Sequence, residues 1–216
     1  MKILITGTSK GIGRACAILF LNMGHTVYGM DILGSTIDDI NYEHYKVDIR
    51  DDVMYTELMD IDILINNAGV QDSIDDIDVN LHGTINITEK YGIQPNIKSI
   101  LFMASASART GAEFPRYAAS KAGMVGYMKN VALRIAEYGA TSNALSAGGV
   151  TTSLNQHILD DPMLYSFCKE ETLLNKWADA EEIANFAYFM TVINKSMTAQ
   201  DILVDNGENA KSNFIW

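Results

Sequence analysis

A tyrosine and a lysine stand four positions apart in the stretch RYAASKAG, residues 116–123, and the residues between them are small. On a helix, positions i and i+4 share one face, with Cβ atoms about 5–6 Å apart. An ammonium at Lys121 would stabilise the phenolate form of Tyr117 and lower the pKa of its hydroxyl from about 10. Such a pair can act as a general acid. The same spacing also arises by accident, so a catalytic role for the pair needs support from the rest of the chain.

The bulk composition is that of an ordinary globular protein, with 48% hydrophobic and 20% charged residues in a chain of 216. One domain is the default expectation at this length. The formal charge of −11 argues against nucleic acid or an anionic membrane as a partner, because both require a basic surface. The sequence shows no apolar run near the ~18 residues of a membrane helix, and the start MKILITG is too short for a signal peptide.

Cysteine and histidine do not point to a metal site. Cys16 and Cys168 are far apart and outside any metal-ligand spacing, and the four histidines form no cluster in the sequence. Cys16 lies in an apolar run and is expected to be a buried core thiol. A reducing, cytoplasmic setting is consistent with this cysteine usage.

Short apolar runs alternate with longer helical patterns along the chain. Strands are predicted at residues 2–6, 25–31, 44–48, 62–66, 99–104, 141–146 and 201–205, and helices at 12–23, 76–91, 116–138 and 179–193. Strands of unbroken apolar character that alternate with helices indicate a parallel sheet covered on both faces. We therefore expect an α/β fold with a doubly wound parallel sheet of Rossmann type in a single domain. Residues 147–177 have the least regular pattern and are expected to form a short, mobile substrate flap.

A glycine-rich turn, TGTSKGIG at residues 6–13, connects the first predicted strand to the first helix. Its glycines permit positive φ angles and a close approach of phosphate to the backbone. The helix that follows offers free N–H groups and the positive end of its dipole to a pyrophosphate. The spacing differs from G-x-G-x-x-G, and the turn lacks the GK[ST] ending of a nucleoside-triphosphate loop. This position in the chain favours a dinucleotide cofactor over ATP, with a plain tight turn as the alternative.

Asp31 ends the second predicted strand, 18 residues after Gly13. A carboxylate there can accept hydrogen bonds from both ribose hydroxyls and would repel a 2′-phosphate, which favours NAD. Lys10, inside the glycine-rich turn, favours NADP because its ammonium could bind that phosphate. A turn-initiating aspartate is the other interpretation of Asp31. We predict NAD as the cofactor, ahead of NADP.

Three motifs in this order, TGTSKGIG, NNAG (residues 66–69) and YAASK (residues 117–121), resemble those of the classical short-chain dehydrogenase/reductase family. The likeness runs from residue 2 to about residue 207 and is nearest to the 3-oxoacyl-acyl-carrier-protein reductases. It implies an NAD(P)-dependent oxidoreductase that transfers a hydride between nicotinamide and a carbonyl/alcohol pair. The implied substrate is a small ketone or a carrier-bound 3-oxoacyl thioester, and the implied assembly is a homodimer or homotetramer.

The same resemblance implies four catalytic residues. Tyr117 would be the acid/base, and Lys121 would be its electrostatic partner and would also hold the nicotinamide ribose. Ser105, at the end of SILFMAS, would hydrogen-bond the substrate oxygen, with Ser107 as a rival. Asn80, in DVNLHG, would anchor a water that leads protons to Lys121. The chemistry is coherent in itself, because hydride transfer to a carbonyl carbon builds negative charge on an oxygen that donors must meet.

The resemblance also implies the cofactor contacts. Asp48 would meet the adenine, and residues 66–69 would shape the sheet end beside the adenosine ribose. The segment AGGVTT, residues 147–152, would bind the carboxamide and the phosphates of the cofactor. The predicted cofactor-binding residues are Gly7, Ser9, Lys10, Gly11, Ile12, Gly13, Asp31, Asp48, Asn67, Ala68, Gly69, Tyr117, Lys121, Gly149, Val150 and Thr152, and no metal is expected.

The chain departs from the family pattern in several places. Ala147 stands at a usual proline, and Ala199 and Asn206 stand at usual glycines. The segments 48–62 and 69–80 are short for the family, so the helices there are expected to be stunted.

Two other classes of protein compete with the enzyme hypothesis. One is a catalytically idle dinucleotide-binding protein that senses redox state or scaffolds partners. The intact set of Asn80, Ser105, Tyr117 and Lys121 argues against it. The other is a Rossmann-type transferase, which should show a different glycine spacing and no Tyr-x-x-x-Lys.

Overall fold

A parallel sheet of seven strands forms the centre of the part of the chain described by the computed structural model, residues 1–112 and 114–211. With a separate pair of short strands, the described residues form β1 (Lys2–Thr6), β2 (Thr26–Asp31), β3 (Tyr42–Lys46), β4 (Ile63–Asn66), β5 (Ser99–Ser105), β6 (Thr141–Ala147), β7 (Val150–Thr151), β8 (Ala178–Asp179) and β9 (Asp201–Val204). The sheet order is β3-β2-β1-β4-β5-β6-β9, and β7 pairs separately with β8. The predicted doubly wound α/β fold is confirmed.

Helices cover both faces of this sheet. They are α1 (Gly11–Asn22), α2 (Thr84–Ile87), α3 (Ser107–Thr110), α4 (Pro115–Ile135), α5 (Gln156–Leu159), α6 (Pro162–Glu170) and α7 (Ala180–Tyr188). Two π-helical turns, Asp78–Gly83 and Thr88–Gly92, flank α2 and make one longer helix with it, and a third, Phe189–Ile193, extends α7. Short 3-10 helices lie at Thr56–Leu58, Ala136–Tyr138, Ser153–Asn155 and Glu208–Ala210.

The alternation of side chains along each strand divides the core into two layers. On β1, Ile3 and Ile5 belong to one layer, while Leu4 between them belongs to the other. The first layer includes Ala15, Cys16 and Phe20 of α1 with Ile183, Ala184 and Ala187 of α7, and the second includes Met124, Met128, Val131 and Ile135 of α4. Strands buried on both faces account for the unbroken apolar runs in the sequence. Cys16 is fully buried, as predicted.

The strand order brings the sequence motifs to one edge of the sheet. β1 and β4 are neighbours, but the chain continues from β1 toward β2 and from β4 toward β5. The connections after these two strands therefore diverge and leave a crevice at their carboxyl ends. The glycine-rich turn follows β1, residues 66–69 include the end of β4, and Ser105 ends β5.

Two predicted segments differ from the structure. The third strand is Tyr42–Lys46 and not 44–48, because its register with β2 sets Tyr42 opposite Val27. The segment 147–177 is more regular than expected, since it contains β7, α5 and α6. Asp161 begins α6 by accepting hydrogen bonds from the N–H groups of Met163 and Leu164, and Pro162 occupies the first helical turn, where a missing N–H costs nothing.

The shortened segments carry little helix, as the sequence predicted. Between β3 and β4 the described chain forms only the 3-10 turn Thr56–Leu58. Helix after β4 begins near residue 76, immediately before the π-helical turn Asp78–Gly83. Within residues 1–112 and 114–211, every helix is too short or too polar to cross a bilayer.

The two positions where glycine was expected both have left-handed backbone. Ala199 has φ of 59° and Asn206 has φ of 54°. Asparagine adopts this region with little strain because its short polar side chain can hydrogen-bond locally. A residue such as alanine, whose Cβ has no such compensation, is destabilised there by about 1–2 kcal/mol. Ala199 is held in place by its N–H, which donates to the carbonyl oxygen of Ser142 at 2.7 Å.

The substitution Ala199→Gly should therefore stabilise the protein. Relief of left-handed strain exceeds the extra entropy that glycine brings to the unfolded chain, so the free energy of unfolding should rise by about 0.5–1 kcal/mol. Urea denaturation measures it. The control Ala122→Gly, at an exposed position inside α4, should lower the free energy of unfolding by about 1 kcal/mol. A loss at residue 199 equal to that at residue 122 would contradict the strain argument.

Candidate active site

The glycine-rich turn is folded so closely that side chains would not fit. Gly7 has φ of 77° and Gly11 has φ of 56°. A Cβ on Gly13 would overlap the carbonyl oxygen of Gly7, and a Cβ on Gly7 would lie 2.9 Å from Cα of Ala68. The N–H groups of the first turn of a helix have no partners within the helix, and α1 begins here. This bare backbone at the positive end of a helix fits the pyrophosphate of a dinucleotide.

The carboxylate of Asp31 anchors the glycine-rich turn. Oδ2 accepts the N–H of Ser9 at 2.9 Å, and Oδ1 accepts the N–H of Leu33 at 2.9 Å. Because a carboxylate offers about four acceptor positions, both oxygens can still accept hydrogen bonds from ribose hydroxyls. Ser9 also donates from Oγ to the carbonyl of Gly34, while the side chain of Lys10 is exposed. Asp31 thus combines a structural role with the geometry expected for ribose binding.

The end of β4 is tied directly to the end of β1. Oγ1 of Thr6 accepts the N–H groups of Asn67 and Ala68, each at 3.0 Å. Nδ2 of Asn67 donates to the carbonyl oxygens of Thr6, at 2.9 Å, and Gly7, at 3.2 Å. These bonds join the NNAG segment to the glycine-rich turn across the crevice. Asn66 is directed into the fold, where its Nδ2 donates to Oγ1 of Thr88.

Lys121 is an almost fully buried ammonium on α4. It is 5% exposed, and its Nζ donates to the carbonyl oxygen of Met103 on β5 at 2.8 Å. The same Nζ lies 5.6 Å from the ring centroid of Tyr117, one helical turn earlier. Burial lowers the pKa of Lys121 to about 8, and the carboxylate of Asp76 acts in the opposite direction. The i, i+4 spacing of the two residues on α4 thus places the ammonium of Lys121 beside the phenol of Tyr117.

Ser105 and Ser107, treated as rivals in the sequence, form one unit. The Ser107 hydroxyl donates to Oγ of Ser105 at 2.8 Å, and the Ser107 N–H approaches the same oxygen at 3.2 Å. Both residues are buried. With its oxygen accepting these bonds, the Ser105 hydroxyl can direct its own hydrogen at another acceptor.

The side chain of Asn80 is fully buried and supports the loop after β4. Its Oδ1 accepts the N–H of Val70 at 2.8 Å, and its Nδ2 donates to the carbonyl of Val70 at 2.9 Å and to Oγ of Ser120 at 3.1 Å. Both amide hydrogens are engaged, while one lone pair of Oδ1 remains. A Cβ on Gly69 would lie 3.0 Å from this Oδ1 and 3.5 Å from Nζ of Lys121. The amide and the ammonium therefore border the same small space.

The segment 149–152 lies against the glycine-rich turn. A Cβ on Gly11 would be 3.6 Å from Cβ and Cγ2 of Thr152. Val150 pairs with Ala178, and a Cβ on Gly149 would overlap the indole of Trp177. The predicted cofactor segment is thus placed beside the predicted phosphate turn.

Asp48 is held by a cation that sequence reasoning did not single out. Nη2 of Arg50 lies 2.7 Å from Oδ2 of Asp48, and its Nε lies 3.1 Å from both carboxylate oxygens. These hydrogen bonds lower the pKa of Asp48. Nη1 of Arg50 is also 3.7 Å from Oδ2 of Asp75. The adenine contact of Asp48 stays a prediction, and its carboxylate has a partner within the protein.

Several residues that shape the site were not predicted. They are Thr6, Asp76, Ser107 as a partner of Ser105, Ser120 and Trp177. Thr6 stood inside a quoted motif, but its contacts reach residues about sixty positions away, and nothing local in the sequence indicates them. Among residues 1–112 and 114–211, no group of three or more His, Cys, Asp or Glu side chains could hold a metal ion.

The chain resembles known proteins along nearly its whole length. A family model described as enoyl-(acyl carrier protein) reductase matches residues 7–209. The 3-oxoacyl-[acyl-carrier-protein] reductase of Thermotoga maritima is 28% identical over 242 aligned positions, which cover 94% of this chain and 96% of that protein. A short-chain dehydrogenase/reductase of Talaromyces verruculosus is 29% identical over 189 positions, 72% of each chain.

Solved structures share the fold over nearly the whole chain. A 4-hydroxyisoleucine dehydrogenase mutant complexed with NADH and succinate is 25% identical, with a TM-score of 0.88 over 99% of this chain and 100% of that one. The ligand-free aldohexose dehydrogenase of Thermoplasma acidophilum, at 24% identity, also has a TM-score of 0.88, over 100% of this chain and 96% of that one.

The chain belongs to the classical short-chain dehydrogenase/reductase family. It is an NAD(P)-dependent oxidoreductase that acts on CH–OH or C=O groups. Among its relatives it is similar to the 3-oxoacyl-acyl-carrier-protein reductases.

The substitution Gly13→Ala tests whether the tight turn is a requirement of the fold. The new methyl group would meet the backbone of Gly7, which cannot yield as a side chain can, so the free energy of unfolding should fall by about 1–3 kcal/mol. The control Gly126→Ala, on an exposed part of α4 with open space around it, should raise that free energy by roughly 0.5–1 kcal/mol. Equal effects in chemical denaturation would show that the turn tolerates a Cβ.

Proposed function

We propose that the protein reduces a carbonyl compound, or oxidises the matching alcohol, with Tyr117 as the proton donor and acceptor and with NAD as the cofactor. One observation supports this most strongly. The ammonium of Lys121 is buried beside the ring of Tyr117, 5.6 Å from its centroid. A buried cation is costly to the fold and is kept where it stabilises an anion, here the phenolate that remains after proton transfer.

The cofactor site would be formed by the backbone of the glycine-rich turn, by Asp31, and by the segments after β4 and β6. When bound, the nicotinamide supplies or accepts the hydride. The close approach of backbone at Gly7 and Gly13 supports pyrophosphate binding there. The two acceptor positions left on Asp31 support binding of an unmodified ribose, and its negative charge disfavours a 2′-phosphate.

The protein residues would handle the proton and the developing charge. As negative charge grows on the substrate oxygen, Ser105 would donate a hydrogen bond to it, with its own hydroxyl fixed by Ser107. Tyr117 would give its proton to that oxygen, and Lys121 would stabilise the resulting phenolate. The space beside Gly69, bordered by Asn80 and Lys121, would hold a water through which the proton is replaced.

The substrate that we propose carries an apolar chain on one side of its carbonyl, as a 3-oxoacyl thioester or a small ketone does. Relatives of the chain are named for 3-oxoacyl-[acyl-carrier-protein] substrates. The flap exposes large apolar side chains, with exposed fractions of 62% for Met163 and 58% for Phe167 on α6 and 66% for Leu174 after it. Such a surface supports an acyl chain better than a sugar. A panel of ketones, 3-oxoacyl thioesters, enoyl thioesters and aldoses, assayed with NADH and NADPH, tests this choice.

Replacing Tyr117 by phenylalanine should abolish turnover but not cofactor binding. The variant removes only the hydroxyl, so the loss should be at least about 10²–10⁴-fold in turnover, with NADH affinity nearly unchanged. Nicotinamide absorbance measures turnover, and fluorescence titration measures binding. Tyr138→Phe, at the far end of the same helical segment, is the matched control and should keep full activity. Retained activity in Tyr117→Phe would overturn the assignment.

Removing the charge of Asp31 should shift cofactor preference toward NADP. Asp31→Ala removes both the ribose acceptor and the repulsion of a 2′-phosphate, so the ratio of kcat/KM for NADH over NADPH should fall at least about tenfold, or about 1.4 kcal/mol. Asp31→Asn separates charge from structure, because its amide oxygen can still accept one of the two backbone N–H groups. Unchanged selectivity in both variants would count against a ribose role for Asp31.

We further propose a homodimer or homotetramer in a cytoplasmic setting. Apolar side chains on the outer helices are well exposed, at 78% for Leu133 on α4 and 49% for Phe189 after α7, and contact between copies would cover them.

Cys16 and Cys168 are free thiols, which suits a reducing compartment, and cell fractionation tests that location.

Sedimentation velocity should accordingly show a dimer or a tetramer. Leu133→Asp should shift the distribution toward smaller species, because a charge would be buried at the proposed contact. Lys195→Asp, an exposed change in the loop between Ile193 and β9, should leave the distribution unaltered. A wild-type protein that sediments only as a monomer at micromolar concentration would refute the proposed assembly.

A further inference from the structure

Asp76 is a buried acid at the start of the helix that carries Asn80. It is 1% exposed, and its Oδ1 accepts the N–H of Ser73 at 3.1 Å. A carboxylate out of water is costly unless a charge or several hydrogen bonds compensate it. One backbone hydrogen bond is little compensation for a full negative charge, so a cation in its surroundings is expected.

The helix places Asp76 on the same face as Asn80, and Asn80 borders the space beside Gly69 that Lys121 also borders. Asp76 lies four residues before Asn80 at the start of the same helix, and residues with this spacing share a face. The Oδ1 of Asn80 and the Nζ of Lys121 lie on either side of Gly69, within 3.0 and 3.5 Å of the position of a Cβ there. The carboxylate of Asp76 also raises the pKa of Lys121 against the stronger lowering effect of burial.

The neighbouring charged groups have other partners. Asp75 lies 3.7 Å from Arg50, and Asp78 is exposed and lies 3.0 Å from His82. From the other elements around the ammonium, β5 presents the uncharged carbonyl of Met103, and α4 presents Tyr117. Within the described residues, Asp76 is therefore the buried carboxylate that can balance the charge of Lys121.

We propose that Asp76 is a positioning residue for the reaction, whose carboxylate keeps the ammonium of Lys121 charged beside Tyr117. This inference rests on the proposed function of the Tyr117–Lys121 pair. Without the anion, the buried ammonium loses its proton more readily, and the phenol loses the charge that makes it a proton donor. A purely structural role, as an acceptor for Ser73, would make no such demand on the charge.

The pH dependence of reduction separates these two roles. Asp76→Asn keeps an acceptor for the N–H of Ser73 and removes the charge. Ketone reduction needs the ammonium, so kcat/KM should fall on the alkaline side at a pH lower by roughly half to one unit than in the wild type. Asp78→Asn, an exposed change on the same helix, should keep the wild-type profile, and Asp76→Glu should restore part of it. An unshifted alkaline limb in Asp76→Asn would overturn the proposal.

A second measurement on unfolding does not depend on activity. With Lys121 present, Asp76→Asn should lower the urea midpoint at pH 7, because the ammonium loses its counter-charge. In the Lys121→Met background the same change should raise the midpoint, because the carboxylate is then the uncompensated charge. Opposite signs support the pair even if Tyr117 proves not to be the acid, whereas equal shifts in both backgrounds would overturn it.

Discussion

The structure depends on a positive charge that is kept out of water. Lys121 is almost completely buried, and burial alone would favour its neutral form. The carbonyl of Met103 accepts a hydrogen bond from it, and the ring of Tyr117 lies beside it. A cation held in this way lowers the stability of the fold. It acts more strongly on a neighbouring phenol, however, because water is excluded from the space around the two groups.

The remaining parts of the fold bring distant segments to this charge. A parallel sheet with β1 beside β4 places the carboxyl ends of its central strands at one edge, where the glycine-rich turn, the NNAG segment and Ser105 meet. Several buried polar groups there bind one another, as Thr6 does with the N–H groups of Asn67 and Ala68, while Oδ1 of Asn66 has no hydrogen-bond partner among the described residues. The glycine-rich turn, the sheet edge and α4 are thus one connected unit. Such a unit is rigid enough to hold reacting groups in the fixed geometry that hydride transfer requires.

Much of this arrangement could be predicted from the sequence, and the same physical reasons explain which parts could not be predicted. Buried strands of a doubly wound sheet are apolar without interruption, and glycines stand where a Cβ has no room, so the fold and the tight glycine-rich turn could be predicted. The shift of β3 to Tyr42–Lys46 was not, because register depends on the neighbouring strand. The capture of Asp48 by Arg50 and the burial of Asp76 were also hidden, since an acidic residue looks the same in the sequence whether it is solvated or enclosed.

Burial should make the Lys121 ammonium lose its proton far more readily than a lysine in water does. Nitrogen-15 NMR of the lysine side chains, titrated from pH 6 to pH 11 and assigned by comparison with Lys121→Met, measures this directly. We expect one amine to titrate with a pKa of about 8, well below the usual 10.5. A Lys121 that titrates together with the exposed lysines, near 10.5, would contradict it.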